Sequence, residues 1–142
     1  MRAVVLGGYG LIGAACVRAL QAAGYQVTGI GRSARSARRS GLAVDWIIAD
    51  IARMPVSAWR DALAGADVVV NAAGALQGGA RDDLAGIHVT AVERMVAARA
   101  GSGARVVQIS AAGVRPDAPT AFFATKAHGD AALQGSGLDW VI

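Results

Sequence analysis

Val5-Leu6-Gly7-Gly8-Tyr9-Gly10-Leu11-Ile12-Gly13 stands almost at the start of the chain. Residues 3–6 before the glycines form a short apolar run, the pattern of a strand buried on both faces. Beyond them Leu11, Ile12, Ala15, Cys16, Ala19 and Leu20 recur at helical spacing, which predicts a helix with that face inward, closed by Gly24. A buried strand that turns through glycines into a helix opens a parallel sheet covered by helices, so this stretch decides the fold class.

Working outward, further strands are predicted over residues 26–30, 44–48, 67–71, 105–110 and 138–142. The segment holding Arg32, Arg35, Arg38 and Arg39 reads as a polar loop, and Pro55 starts a short helix that runs to Leu63. A long amphipathic helix is expected from about Asp82 to Ala100, with Leu84, Ile87, Ala91, Val92, Met95 and Val96 on its inner side. Another helix spans residues 120–134. Strands alternating with helices predict one three-layer α/β domain, a doubly wound parallel sheet in the strand order 3-2-1-4-5-6.

The composition agrees. A chain of 142 residues suits one domain, and 54% hydrophobic against 17% charged residues excludes a disordered chain. Apolar runs are broken well short of a membrane span, so no transmembrane helix is expected. Met1-Arg2-Ala3-Val4-Val5 runs straight into glycines without the apolar core and cleavage site of a signal peptide, and a cytoplasmic location is the expectation. Cys16 is alone, which rules out an internal disulfide and a cysteine-based cage, and no metal site is expected. Its helical neighbours favour a buried small hydrophobe over a reactive thiol. The net charge is +4, yet the arginines crowd into one segment without interleaved aromatics. That pattern predicts a local anion site and no nucleic-acid groove.

The glycines at 7, 10 and 13 have separate tasks: one permits the tight turn, one lets backbone approach a pyrophosphate, and one lets the helix pack on the strand. Unpaired N–H groups and the positive end of the helix dipole then face the phosphates. This is the phosphate turn of a Rossmann domain. An NAD site normally carries an acidic residue about 20 residues past the glycines, where this chain has Gly31-Arg32. A guanidinium there suits a 2′-phosphate, so NADP is expected over NAD, and Arg35, Arg38 and Arg39 either assist or form a solvated loop.

With this turn, Asp50, Asn71-Ala72-Ala73-Gly74, Ser110 and Lys126 in place, the whole chain resembles the short-chain dehydrogenase/reductase superfamily, in its extended and atypical branches, which include epimerase-like and NmrA-like proteins. The resemblance implies a dinucleotide site made of Gly7, Gly8, Tyr9, Gly10, Leu11, Ile12 and Gly13, Arg32, Asp50 with Ile51, Asn71 through Gly74, and Lys126. Asp50 would meet the adenine amino group and Ser110 would stand next to the nicotinamide. In the family's usual chemistry a Ser polarises the carbonyl, a Tyr moves the proton, and a Lys four residues later lowers the phenol's pKa. Lys126 matches the last role, but position 122 is Phe, and loss of positioned acid-base help typically costs about 10²- to 10⁴-fold in rate.

His88 stands where many relatives have an Asn; it is either a substitute acid or base or a hydrogen-bonded residue on a half-buried helix face. Ser110, Lys126 and His88 are therefore the candidate catalytic residues. The alternatives are that Ser110 ends its strand and Lys126 lies at the surface. His128 is expected to be exposed, and at least one ring of Phe122-Phe123 to pack in the core. Relatives continue past the sixth strand through an Arg-Pro-Gly-like turn into residues that close the substrate pocket, in some look-alikes with a DoxX-like membrane-associated region. The expectation is an N-terminal Rossmann domain over 1–142, with the substrate-binding part absent and the substrate unreadable. A homodimer through the long and last helices would follow family habit. The implied function is that of an oxidoreductase or epimerase-like enzyme lacking the usual Tyr; the alternative is a non-catalytic NADP-binding redox-sensing or structural module.

Overall fold

In the computed structural model, which describes residues 1–76 and 83–142, the strands are β1 (Arg2–Leu6), β2 (Gln26–Gly31), β3 (Asp45–Ile48), β4 (Val68–Asn71), β5 (Arg105–Gln108) and β6 (Asp139–Val141). All neighbours pair in parallel, in the order β3-β2-β1-β4-β5-β6, as the sequence predicts. The helices are α1 (Leu11–Ala22), α2 (Ala34–Arg39), α3 (Val56–Ala62), α4 (Ala91–Arg99) and α5 (Ala121–Gln134). A π-helical turn, Gly86–Thr90, leads into α4.

β1 shows why three layers form. Its side chains alternate between faces: Val4 and Leu6 join Trp59, Leu63, Val92, Met95 and Leu133, which come from α3, the residue after it, α4 and α5. Ala3 and Val5 join Val17 of α1 with Val27 and Val70, and Cys16 and Leu20 pack partly against them. Every residue from Ala3 to Val5 is fully buried, as an apolar central strand must be. No helix among the described residues is long and apolar enough to cross a membrane.

Four expectations are corrected. The α1 face inferred from sequence is rotated: Gly13 and Val17 are buried, whereas Leu11 is 93% and Ile12 50% exposed, and Ala15 and Ala19 face solvent. The cause is Gly13, whose lack of a side chain brings that line of the helix onto the turn. The arginine segment is not all loop, because Ser33 accepts the Ser36 N–H and caps the short α2. The long helix has the predicted inner residues but opens with the π turn, and its expected start at Asp82 lies outside the described residues. β5 stops at Gln108, opposite the last paired residue of β4, so Ser110 lies just past the strand.

Candidate functional site

The turn after β1 is built by close backbone approaches. Gly7 has φ +67°, and the N–H groups of Gly7 and Gly8 both point at the Ile30 carbonyl, at 2.9 and 3.3 Å. The Gly10 N–H returns to the Gly7 carbonyl at 2.8 Å. A Cβ on Gly13 would stand 2.1 Å from that same carbonyl oxygen, so only glycine lets α1 begin here. Gly10 precedes the helix in extended conformation and no side chain caps it. The first N–H groups of a 12-residue helix, with its positive dipole end, are thus presented at the sheet's carboxyl edge.

A cleft opens at that edge, where the strand order reverses between β1 and β4. Gly7, Tyr9, Gly10, Arg32, Asp50, Ile51, Ala72, Ala73 and Gly74, all predicted from sequence, line it, together with Ile30, Gly31, Ala49 and Ile87. Gly8 and Gly13 are instead buried in the turn. Leu11 and Ile12 lie exposed at the start of α1, and Asn71 is buried beneath. Asp50 shapes the chain past β3, accepting the Ala52 N–H at 3.1 Å and pairing with Arg53 at 3.7 Å.

Tyr9 has a role that the sequence reading did not separate from the glycine turn. Its hydroxyl accepts the Ser33 N–H at 3.1 Å, and its ring lies 5.7 Å from that of Trp46. It also covers the end of β2 so closely that a Cβ on Gly31 would come within 2.2 Å of the ring. A carboxylate-bearing side chain at position 31 therefore has no room unless Tyr9 moves.

A second polar cluster lies at the ends of β4 and β5 against α5. Lys126 is buried, not at the surface, and donates to the Ile109 carbonyl at 2.8 Å; burial lowers its pKa, with the Asp130 charge opposing. His88 is buried in the π turn, where Nε2 accepts the Ala75 N–H at 3.3 Å. The neutral ring then carries its proton on Nδ1, 2.9 Å from the Thr125 hydroxyl, which donates to Ala121 at 2.7 Å. Burial first and Lys126 second push the His88 pKa down to about 4, with Asp130 opposing.

Asn71 donates to Gln108 at 2.8 Å, Gln108 donates to Asp130 at 3.3 Å, and the Ser110 hydroxyl donates to the other Asp130 oxygen. Gln108 and Asp130 were missed from sequence, although Asp130 follows Lys126 at the four-residue spacing that puts both on one helical face. Phe122 and Phe123 are both only half-buried, contrary to the expected core packing. The Phe122 ring meets His88 edge-on at 5.6 Å and Phe123 at 5.1 Å, and Lys126 Nζ lies 5.9 Å from its centre. His128 is exposed, as expected.

The chain matches the family model described as NAD(P)H-binding over residues 7–142. A search of the curated proteins returns no match. Among solved structures it is similar to a short-chain dehydrogenase/reductase superfamily protein from Agrobacterium tumefaciens with bound NAD, at 21% identity and TM-score 0.80, over 100% of this chain and 48% of that one. The Bordetella bronchiseptica enzyme WbmH in complex with NAD⁺ is similar at 20% identity and TM-score 0.80, over 98% of this chain and 54% of that one. A candidate NADH-flavin reductase from Streptococcus pneumoniae is similar at 23% identity and TM-score 0.74, over 99% of this chain and 69% of that one. The chain thus spans about half the length of the first two. These likenesses concern the fold, and with the match over residues 7–142 the chain belongs to the NAD(P)H-binding family.

Proposed function

We propose that the cleft binds NADP(H) in preference to NAD(H), and that the chain is the coenzyme domain of an atypical oxidoreductase or epimerase-like enzyme that works without the usual Tyr. The observation that carries the coenzyme choice is the end of β2. Gly31 lies under the Tyr9 ring and offers no side chain to hold the ribose hydroxyl, and Arg32 lines the cleft next to it. A guanidinium can take a phosphate with two parallel bonds. In this reading the start of α1 holds the diphosphate and Asp50 the adenine. Ala72, Ala73 and Gly74 line the path to the nicotinamide, and Ser110, Lys126 and His88 stand at the reacting end.

Titration with NADPH and NADH tests the coenzyme choice. Arg32→Asp is expected to weaken NADPH by about 10- to 100-fold, the worth of hydrogen bonds to a charged group, and to turn the preference toward NADH. Equal, weak binding of both before and after the change would refute it.

One observation favours a non-catalytic coenzyme module instead. Phe122 offers no hydroxyl, and the groups around it are already engaged, His88 through both ring nitrogens and Lys126 at the Ile109 carbonyl. The two readings part on Phe122→Tyr. If a substrate pocket is shaped, the new phenol lies one helical turn from Lys126, and NADPH oxidation across carbonyl compounds should rise about 10²-fold. Tight NADPH binding with turnover at background in both proteins would establish the module reading.

A further inference from the structure

Two aromatic rings lie over glycines of β2. A Cβ on Gly31 would meet Tyr9 Cε1 at 2.2 Å, and one on Gly29 would meet Trp46 Cζ3 at 2.5 Å; the two rings lie 5.7 Å apart. Tyr9 thus reaches from the glycine turn across the end of β2. A phenylalanine would meet those ring contacts equally well, so they do not account for the hydroxyl. That group accepts the Ser33 N–H at 3.1 Å, which fixes its oxygen beside the residue that follows Arg32. A phenol has one proton to give as well as lone pairs to offer, and among the described residues no group accepts the Tyr9 proton.

We propose that the Tyr9 hydroxyl donates to the phosphate on the adenine ribose of NADP(H), and so shares with Arg32 the choice of coenzyme. This rests on the coenzyme reading above. Tyr9, Gly31 and Arg32 line one cleft, so the spare proton is left for what enters there. Accepting the Ser33 N–H makes the phenol a stronger donor, because linked hydrogen bonds polarise one another. A ribose hydroxyl can also accept, but a bond to a charged phosphate oxygen is roughly twice as strong as one between neutral groups. The discrimination therefore favours the phosphorylated form. Tyr9 belongs to the glycine turn by sequence and to the end of β2 by reach, so one side chain joins the diphosphate site to the site of the additional phosphate.

Tyr9→Phe removes the hydroxyl and keeps the ring over Gly31, so it isolates the proposed bond. Calorimetric titration of the full chain should show NADPH weakened about 10-fold by the change and NADH altered by less than about 2-fold. Two fragments without nicotinamide, adenosine 2′,5′-bisphosphate and adenosine 5′-phosphate, differ only in the additional phosphate. The native chain should favour the first, and Tyr9→Phe should narrow that margin by about 10-fold. Equal losses for NADPH and NADH would mean that Tyr9 only shapes the turn. An undiminished NADPH affinity would mean that its hydroxyl meets no phosphate. Either result overturns the proposal, and a native preference for the bisphosphate then leaves the coenzyme reading standing. A native chain that binds both fragments equally sinks that reading, and this proposal with it.

Discussion

Gly13→Val is expected to abolish NADPH binding and to cost about 3 kcal/mol of stability, the upper range for overpacking a well-filled site. The first side-chain carbon would lie 2.1 Å from the Gly7 carbonyl oxygen and 2.8 Å from its carbon. Both are backbone atoms with no rotamer to yield. Relief must come from lifting α1 off the turn or reshaping Gly7, which holds its left-handed conformation between the Ile30 and Gly10 contacts. Either movement displaces the first N–H groups of α1, to which the proposed function assigns the diphosphate, so the effect on binding is expected to exceed the effect on folding. Gly103→Ala is the control, since nothing lies within 4 Å of its added carbon and its φ is not positive; it should leave both unchanged. Urea unfolding and calorimetric titration with NADPH measure the two quantities. Near-native affinity in Gly13→Val would show that the coenzyme does not bind at this turn.

The sheet was legible because its inner strands appear as continuous apolar runs: residues 3–6 and 68–70 need no partner to be recognised. The glycine turn was legible for a similar reason, since backbone proximity leaves its mark as absent side chains. What the sequence concealed depends on relations between distant segments. The apolar spacing of α1 matched one face, but contact between Gly13 and the Gly7 carbonyl selected another. The helical pattern over 84–96 was correct about inner residues and silent on the π turn. There the His88 carbonyl lies so near α5 that a Cβ on Gly129 would be 1.9 Å from it. Tyr9 over Gly31, and the hydrogen-bonded line from Asn71 to Asp130, join β1 to β2 and β4 to α5. No periodicity within one segment encodes them. Arg32 was singled out by its distance from the glycines and Lys126 by the family resemblance; Gln108 passed as an ordinary strand residue.

Acidification should expose His88. Its pKa is held near 4 in the folded chain, against about 6.5 when unfolded, because protonation would place a charge in a buried site beside Lys126. It would also convert Nε2, which accepts the Ala75 N–H, into a donor facing a donor. With the folded pKa depressed, the unfolded chain binds the proton first as pH falls. The stability is thus complete above about pH 6.5, declines by about 1.4 kcal/mol per unit toward pH 4, and by then has fallen by about 3 kcal/mol. His88→Gln has no such proton to gain, while its amide can still accept from Ala75 and donate toward Thr125. Urea unfolding at a series of pH values from 7.5 to 4 should therefore give a steep curve for the native chain and one flatter by that amount for the variant. Parallel curves would mean that His88 is protonated in the folded state without penalty. A charged imidazolium beside Phe122 would then be available as the proton donor that the missing phenol would otherwise have been.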